Sequence, residues 1–381
     1  MNEENKRTFL EQFISSDTAV DELLTYAQNK FIRKNQSSHN LSKEFIKTWE
    51  KYAAEAKEKG AFETLKKHLV QLQFPVKEGI SQTEAYKNVT LRGKEKTTGE
   101  SLTLQQPNQL SLTLYKNPMV GKIPVVITPN TDDFTIILNA LGNKNEPKAY
   151  PKSMGALCIN GLNNWHRIHT LKTQWLQENP FGNWNEFFKK NVLPKPHLFK
   201  DKIIILSRKG YSGVQSNDVH MTDDAWKDAS LIIRREHECA HVFTLQYYGS
   251  MANNMHDEIV ADYAGITKVL GQFHKQWFLR FIGLENYPAY RDGGRLQNYQ
   301  SPKQLSEEAF KGLQVLMYNI SDTLTAFDRT LGTIKTSEEQ LRRLKSICEV
   351  DMITLASKQG FDTLLKTYNT QKKLRHYDTK K

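Results

Sequence analysis

Apolar positions in the first seventy residues recur at helical spacing. Phe9 and Phe13, then Val20, Leu23, Leu24, Ala27 and Phe31, then Phe45, Trp49 and Ala53 each mark one face. After Gly60 the pattern resumes with Phe62, Leu65, Leu69 and Leu72. Glycine is nearly absent, so this stretch predicts three or four helices forming an N-terminal subdomain over 1–73. From Phe74-Pro75 the texture changes to short β-rich runs between turn signals, at 89–92, 101–104, 110–115, 123–127 and 134–138. The alternation Leu110, Leu112, Leu114 suits a half-buried antiparallel sheet. Residues 154–161 read as a buried strand, 182–188 as an amphipathic helix, and 202–207 as the strongest strand of the chain.

The segment 223–248 contains no Pro or Gly, begins with Asp223 and Asp224, and meets Gly249. It predicts a long helix with a glycine stop, largely buried through Ile232, Ile233, Ala240, Val242, Phe243 and Leu245. A second helix is expected to run from His256 through Tyr263, Val269, Phe273, Trp277 and Phe281 to near Gly283. A Tyr- and Arg-rich loop follows over 287–299. Ser301-Pro302-x-Gln304 reads as the start of the next helix. Apolar periodicity from Phe310 to Leu324 and from Leu341 to Leu355 predicts a C-terminal helical bundle. The expected fold class is α+β. A helical portion (1–73) precedes a β-containing subdomain (74–220) with a mixed, largely antiparallel sheet, and a mostly helical subdomain (221–381) completes the chain.

Three cysteines, Cys158, Cys239 and Cys348, are too few and too scattered for a disulfide framework. No apolar run approaches the ~18 residues that span a bilayer, and no signal-like apolar stretch follows Met1. These features set the expectation of a cytoplasmic protein with no membrane partner. The formal net charge is +11, with lysines spread along the chain and the densest basic run at 372–381. No RNA-recognition motif or zinc-finger spacing accompanies that charge, which argues against a nucleic-acid partner.

The residues richest in chemistry lie in the long helix. His237-Glu238-Cys239-Ala240-His241 is an H-E-x-x-H motif. Eleven histidines in 381 positions make it an infrequent accident, about 0.02 occurrences per chain. On a helix His237 and His241 share a face, so two imidazoles can address one metal ion. Glu238 is rotated about 100° from His237 and is placed to act as a general base on a water. Further on, Glu258 and Asp262 are again four apart. Glu258 can complete a three-ligand site, and Asp262 can accept the second ring N–H of a ligand histidine. His166 and His220 read as helix-start and linker residues.

This arrangement resembles the gluzincin, or thermolysin-like, branch of zinc metallopeptidases. The resemblance covers about residues 223–270, with 16 residues between His241 and Glu258. It implies zinc on His237, His241 and Glu258, with Asp262 supporting a histidine and Glu238 activating the attacking water. It also implies a cleft-edge strand running into 207–214, with Ser207 and Tyr211 binding a peptide or protein substrate by strand addition. An oxyanion donor is expected from the 287–299 loop or nearby, with Tyr290, Arg291, Arg295 and His256 as candidates and Arg295 also as a substrate contact. Two other classes share these residues. Two histidines and a carboxylate also make the Fe(II) triad of 2-oxoglutarate oxygenases, in which Arg291 or Arg295 would hold the cosubstrate. A zincin-like fold can also be retained as a catalytically inactive binding protein.

Overall fold

The computed structural model describes residues 1–32, 41–95, 99–249, 251, 254–300 and 303–378, with side chains described up to Gln371. The chain divides into two compact units, Met1–His39 with Gly210–Lys381, and Asn40–Lys209. The fold is α+β, with one small mixed sheet and a helical C-terminal half.

The second unit carries the sheet. Strands β1 (Ser111–Asn117), β2 (Gly121–Thr128), β3 (Ala156–Asn163) and β4 (Lys200–Ser207) lie in the order β1-β2-β4-β3. β1 and β2 form an antiparallel hairpin, β2 and β4 are parallel, and β3 and β4 are antiparallel. Helices Lys43–Lys59, Ala61–His68 and Thr131–Gly142 pack against the sheet. Trp49, Phe62 and Leu65 from the first two meet Leu112, Val126, Ile203 and Ile205 from the strands in one core.

Three expected strands do not form. Residues 134–138 are helical because Asn130 caps the N–H groups of Asp132 and Asp133, and both acids favour the positive helix start. Residues 89–90 close the helix Glu84–Thr90, which Thr83 caps, and 101–104 have no regular structure. In each case a local cap or loop outweighs β-branched composition. Residues 182–188 are helical only over Trp184–Phe187, where Asn183 provides the cap, and then pass into a π turn.

Among its described residues the first unit has helices and no named strand. Asp223–Tyr248, the motif helix, starts at the Thr222 cap and stops at Gly249 in the left-handed conformation. Met255–Leu270, the carboxylate helix, packs along it. Gly265 permits the close approach, since a Cβ there would lie 2.8 Å from the carbonyl oxygen of Ile233. The expected continuation to Gly283 is interrupted. Gly271 takes φ 74° and His274 caps a separate helix, Lys275–Ile282. The cap expected at Ser301–Pro302 lies outside the described residues, and the helix Glu307–Leu331 begins at a Ser306 cap.

Residues 1–73 do not form one body. Helices Glu3–Leu10 and Asp17–Tyr26 belong with the helical unit, and the two helices over Lys43–His68 belong with the sheet. Gly312 shows the first attachment, since its Cα side is closed by Ile14 and Leu23. Charge is divided just as unevenly. Residues 40–209 hold 26 Lys and Arg against 15 Asp and Glu, and the remainder holds 27 against 27. The excess of 11 is the whole net charge, so the basic character is concentrated in one unit rather than spread. The basic run at 372–381 lies outside the described side chains. Among the described residues no helix is long and apolar enough to cross a membrane.

Candidate metal centre

His237 and His241 stand one helical turn apart and are almost fully buried, as is Glu258 on the carboxylate helix. Ligand atoms of the three residues lie within 4.8 Å of one another. The two Nε2 atoms are 3.0 Å apart, and each lies 3.4 Å from a Glu258 oxygen.

The opposite ring nitrogens are already engaged. His237 Nδ1 is 3.0 Å from Asp262 Oδ1, and His241 Nδ1 is 3.0 Å from Asp257 Oδ2. Carboxylates are acceptors only, so both Nδ1 atoms are assigned as donors and both Nε2 lone pairs turn towards each other and Glu258. Asp257 is itself held by the Thr244 hydroxyl at 3.1 Å. Asp262 accepts from the Tyr211 hydroxyl at 2.7 Å and pairs with Arg295. Arg295 also donates to the Tyr211 oxygen at 2.7 Å and lies 4.0 Å from Glu258.

The charges around these nitrogens are unbalanced. Asp257, Glu258 and Asp262 bring three buried carboxylates to one buried guanidinium, Arg295. Burial alone would raise the pKa of Glu258, but the two histidines and Arg295 outweigh it and hold the carboxylate well below its usual range. Asp262 is lowered in the same way, with Arg295 the leading opponent of burial. Burial would lower His241, yet Asp257 and Glu258 hold it well above its ordinary value. The cluster therefore attracts positive charge to the Nε2 atoms, as a proton or as a metal cation.

A divalent ion fits this donor set. Tetrahedral Zn²⁺ with bonds of about 2.0–2.1 Å sets its ligand atoms about 3.3 Å apart, close to the separations found. Glu258 Oε2 is buried with no hydrogen-bond partner, the kind of orphan that a cation satisfies.

Other expected site residues fall elsewhere. Ser207 ends β4, a central strand, and its N–H is taken by Gly155 at 2.8 Å while Thr128 pairs on the other side. Substrate cannot add to a strand already paired on both edges, which removes Ser207 as a binding-edge residue. Tyr211 is not a substrate contact either, because it is buried with its hydroxyl spent on Asp262 and His237. Arg295 supports Asp262 instead of presenting itself to a ligand. Tyr290 donates to the Gly294 carbonyl at 2.6 Å and closes its own loop. Arg291 is tied to Glu285 and to the Arg280 carbonyl. His256 donates to the Ile347 carbonyl at 2.9 Å, and His220 is an exposed left-handed linker residue. Both arginines thus have carboxylate partners within the chain, Arg291 on Glu285 and Arg295 on Asp262.

Sequence reasoning missed three residues. Asp257 anchors His241, and the need of every ligand histidine for an acceptor would have pointed to it. Tyr299, in the same loop as Tyr290, couples to Glu258, and burial followed by that negative charge keeps its phenol protonated. Tyr26 donates to the Tyr299 carbonyl at 2.8 Å and accepts the Met255 N–H at 2.9 Å. It thereby pins the start of the carboxylate helix and the Tyr299 loop together, a contact across more than two hundred residues that no local pattern announces.

A family model matches residues 8–359 of the chain. The chain belongs to that family, DUF7005, a family of unknown function. No curated protein and no solved structure matches it. The match reaches across both units and includes the His237, His241 and Glu258 group, so the family designation leaves its chemistry to be argued from geometry.

Proposed function

We propose that the protein is a zinc-dependent hydrolase, most simply a metallopeptidase. The observation that carries this reading is the pair of imidazoles, each fixed at Nδ1 by its own carboxylate, whose Nε2 atoms converge with an unpartnered Glu258 oxygen. His237, His241 and Glu258 would hold the ion. When bound, such an ion supplies a Lewis acid for a scissile carbonyl and lowers the pKa of a water it holds.

The remaining work falls to the chain. Glu238 sits beside His237 on the motif helix and takes a proton from the attacking water, then returns it to the leaving amine. Tyr299 keeps its phenolic proton and hydrogen-bonds to Glu258, which holds that carboxylate in place beside the imidazoles. Asp257, and Asp262 with Tyr211 and Arg295, fix the two imidazoles so that their Nε2 atoms stay aimed at one point.

The test is metal content of purified wild type beside Glu258→Ala, followed by cleavage of a peptide library. We expect about one zinc per chain, lost in the variant. Glu238→Gln should keep its zinc and lose about 10²–10⁴-fold in rate. Protein that takes up no zinc even when it is supplied would end the proposal.

A further inference from the structure

The sheet unit carries an arm that the metal centre does not use. It begins with the helix Trp165–Glu178, turns over 179–183, and returns through Trp184–Phe187 and the π turn Phe188–Val192. Aromatic rings hold the two limbs together, with Trp175 stacked on Phe187 at 4.7 Å and 5.9 Å from Trp184. The turn is well fixed. Gly182 N–H donates to Asn179 at 2.9 Å, Asn183 caps the next helix, and a Cβ at Gly182 would strike the Trp175 ring at 2.2 Å. Phe181, at the tip, is 103% exposed, and Leu193 is 52% exposed. A single exposed phenylalanine is ordinary by itself, but this one sits on a braced turn within a basic arm.

Its surroundings are basic. Lys172 lies nine residues before the tip, and Lys189 and Lys190 lie eight and nine after it, all exposed. Between 168 and 199 the arm has four lysines against Glu178 and Glu186, and Glu186 is paired with Lys190 at 2.7 Å. The unit behind it holds the entire net charge of the chain.

We propose that this arm docks the protein on an anionic lipid bilayer, with Phe181 entering the headgroup–acyl boundary and Lys172, Lys189 and Lys190 meeting the headgroups. Five or six helical residues between each lysine and the turn, at about 1.5 Å each, set the lysine backbones ~8–9 Å behind it. Interfacial side chains enter about 5–10 Å, and lysine stems cover the remaining distance to the phosphates. A protein partner fits less well, because a stable interface buries about 1,200–2,000 Å² and a single protruding ring offers a small part of that. A bilayer needs only a few apolar atoms combined with charge. Absence of a spanning helix, the ground for expecting no membrane partner, does not bear on surface attachment.

The experiment is cosedimentation of the full chain with phosphatidylcholine vesicles, alone and with about 30 mol% phosphatidylserine. Binding is expected only to the anionic vesicles. It should weaken about 10-fold in Phe181→Ala. The triple variant Lys172→Ala/Lys189→Ala/Lys190→Ala, or salt near 0.5 M, should weaken it by roughly as much. Brominated acyl chains should quench tryptophan fluorescence in wild type but not in Phe181→Ala. Because Phe181 makes no buried contact, an unchanged melting temperature will show that the variant is folded. No binding to anionic vesicles, or binding indifferent to Phe181, would overturn the proposal. So would Phe181-dependent binding to a single-stranded oligonucleotide without vesicle binding, which would assign the arm to nucleic acid.

Discussion

Each unit buries a carboxylate against an arginine, and the two clusters are built to different ends. In the sheet unit Asp201 meets Arg167 through one oxygen and accepts from Trp49 and Asn164, at 2.9 and 2.8 Å, through the other. Arg167 passes on to the His197 carbonyl at 3.1 Å. The cluster closes on itself. Burial dominates there and keeps the Asp201 carboxyl above its ordinary pKa despite Arg167. In the helical unit the carboxylates Glu258 and Asp262 are held below theirs, two imidazole nitrogens face each other, and a Glu258 oxygen has no hydrogen-bond partner. Burial and charge are common to both clusters. What separates them is unspent valence, and only the second cluster has any to offer a ligand.

The largest effect should come from breaking the closed cluster. Asp201→Ala leaves a buried guanidinium unpaired and should cost about 3–5 kcal/mol of stability. Glu258→Ala in metal-free protein removes a carboxylate that the two histidines and Arg295 stabilise, but Asp257 and Asp262 still face those groups, so it should cost less, about 1–3 kcal/mol. Denaturant melts of both variants measure this, and equal losses would erase the distinction drawn here. Zinc at about a hundred times its dissociation constant should then stabilise wild type by about 2.7 kcal/mol and leave Glu258→Ala nearly unmoved.

A smaller effect separates the ligands from what holds them. Asp257→Ala leaves all three ligand side chains in place and frees the His241 ring to turn. Zinc affinity, read by competition with a chelator, should fall about 10–100-fold. An unchanged affinity would mean that the helix backbone alone orients His241.

How much of this could be read from the sequence depended on the range of the interactions. The motif helix, its Gly249 stop and the shared face of His237 and His241 follow from spacing within one helix, and these were legible. The four strands that formed sit within or beside runs marked by alternation or apolar density. Phe134–Leu138 misled because Asn130 and two aspartates settle a helix before β-branched residues can settle a strand. Gly271 was read through because the apolar period on either side of it stays in phase. Asp257, Tyr299 and Tyr26 were not legible at all. Their roles arise where separate helices meet, and a tyrosine or aspartate in a helix or loop carries no local sign of its partner.

The smallest expected effect lies at the surface, where a third cluster shows what exposure does to the same chemistry. Glu55 accepts from Lys67 at 2.7 Å and Lys59 at 3.1 Å and faces His68 Nε2 at 2.7 Å. Lys67, then His68, hold its carboxyl at about 2 against an ordinary 4.5. A lowered folded pKa contributes stability that is fully present above 4.5 and is lost as pH falls from there towards 2. The two lysines are 60% and 59% exposed, so solvent and salt screen the attraction. Glu55→Gln should therefore cost at most about 1 kcal/mol near neutral pH. The gap between variant and wild type should narrow in acid and in high salt, unlike the loss from Asp201→Ala, which salt cannot reach. A gap that persists unchanged down to pH 2 would show that Glu55 acts through packing against His68 rather than through its charge.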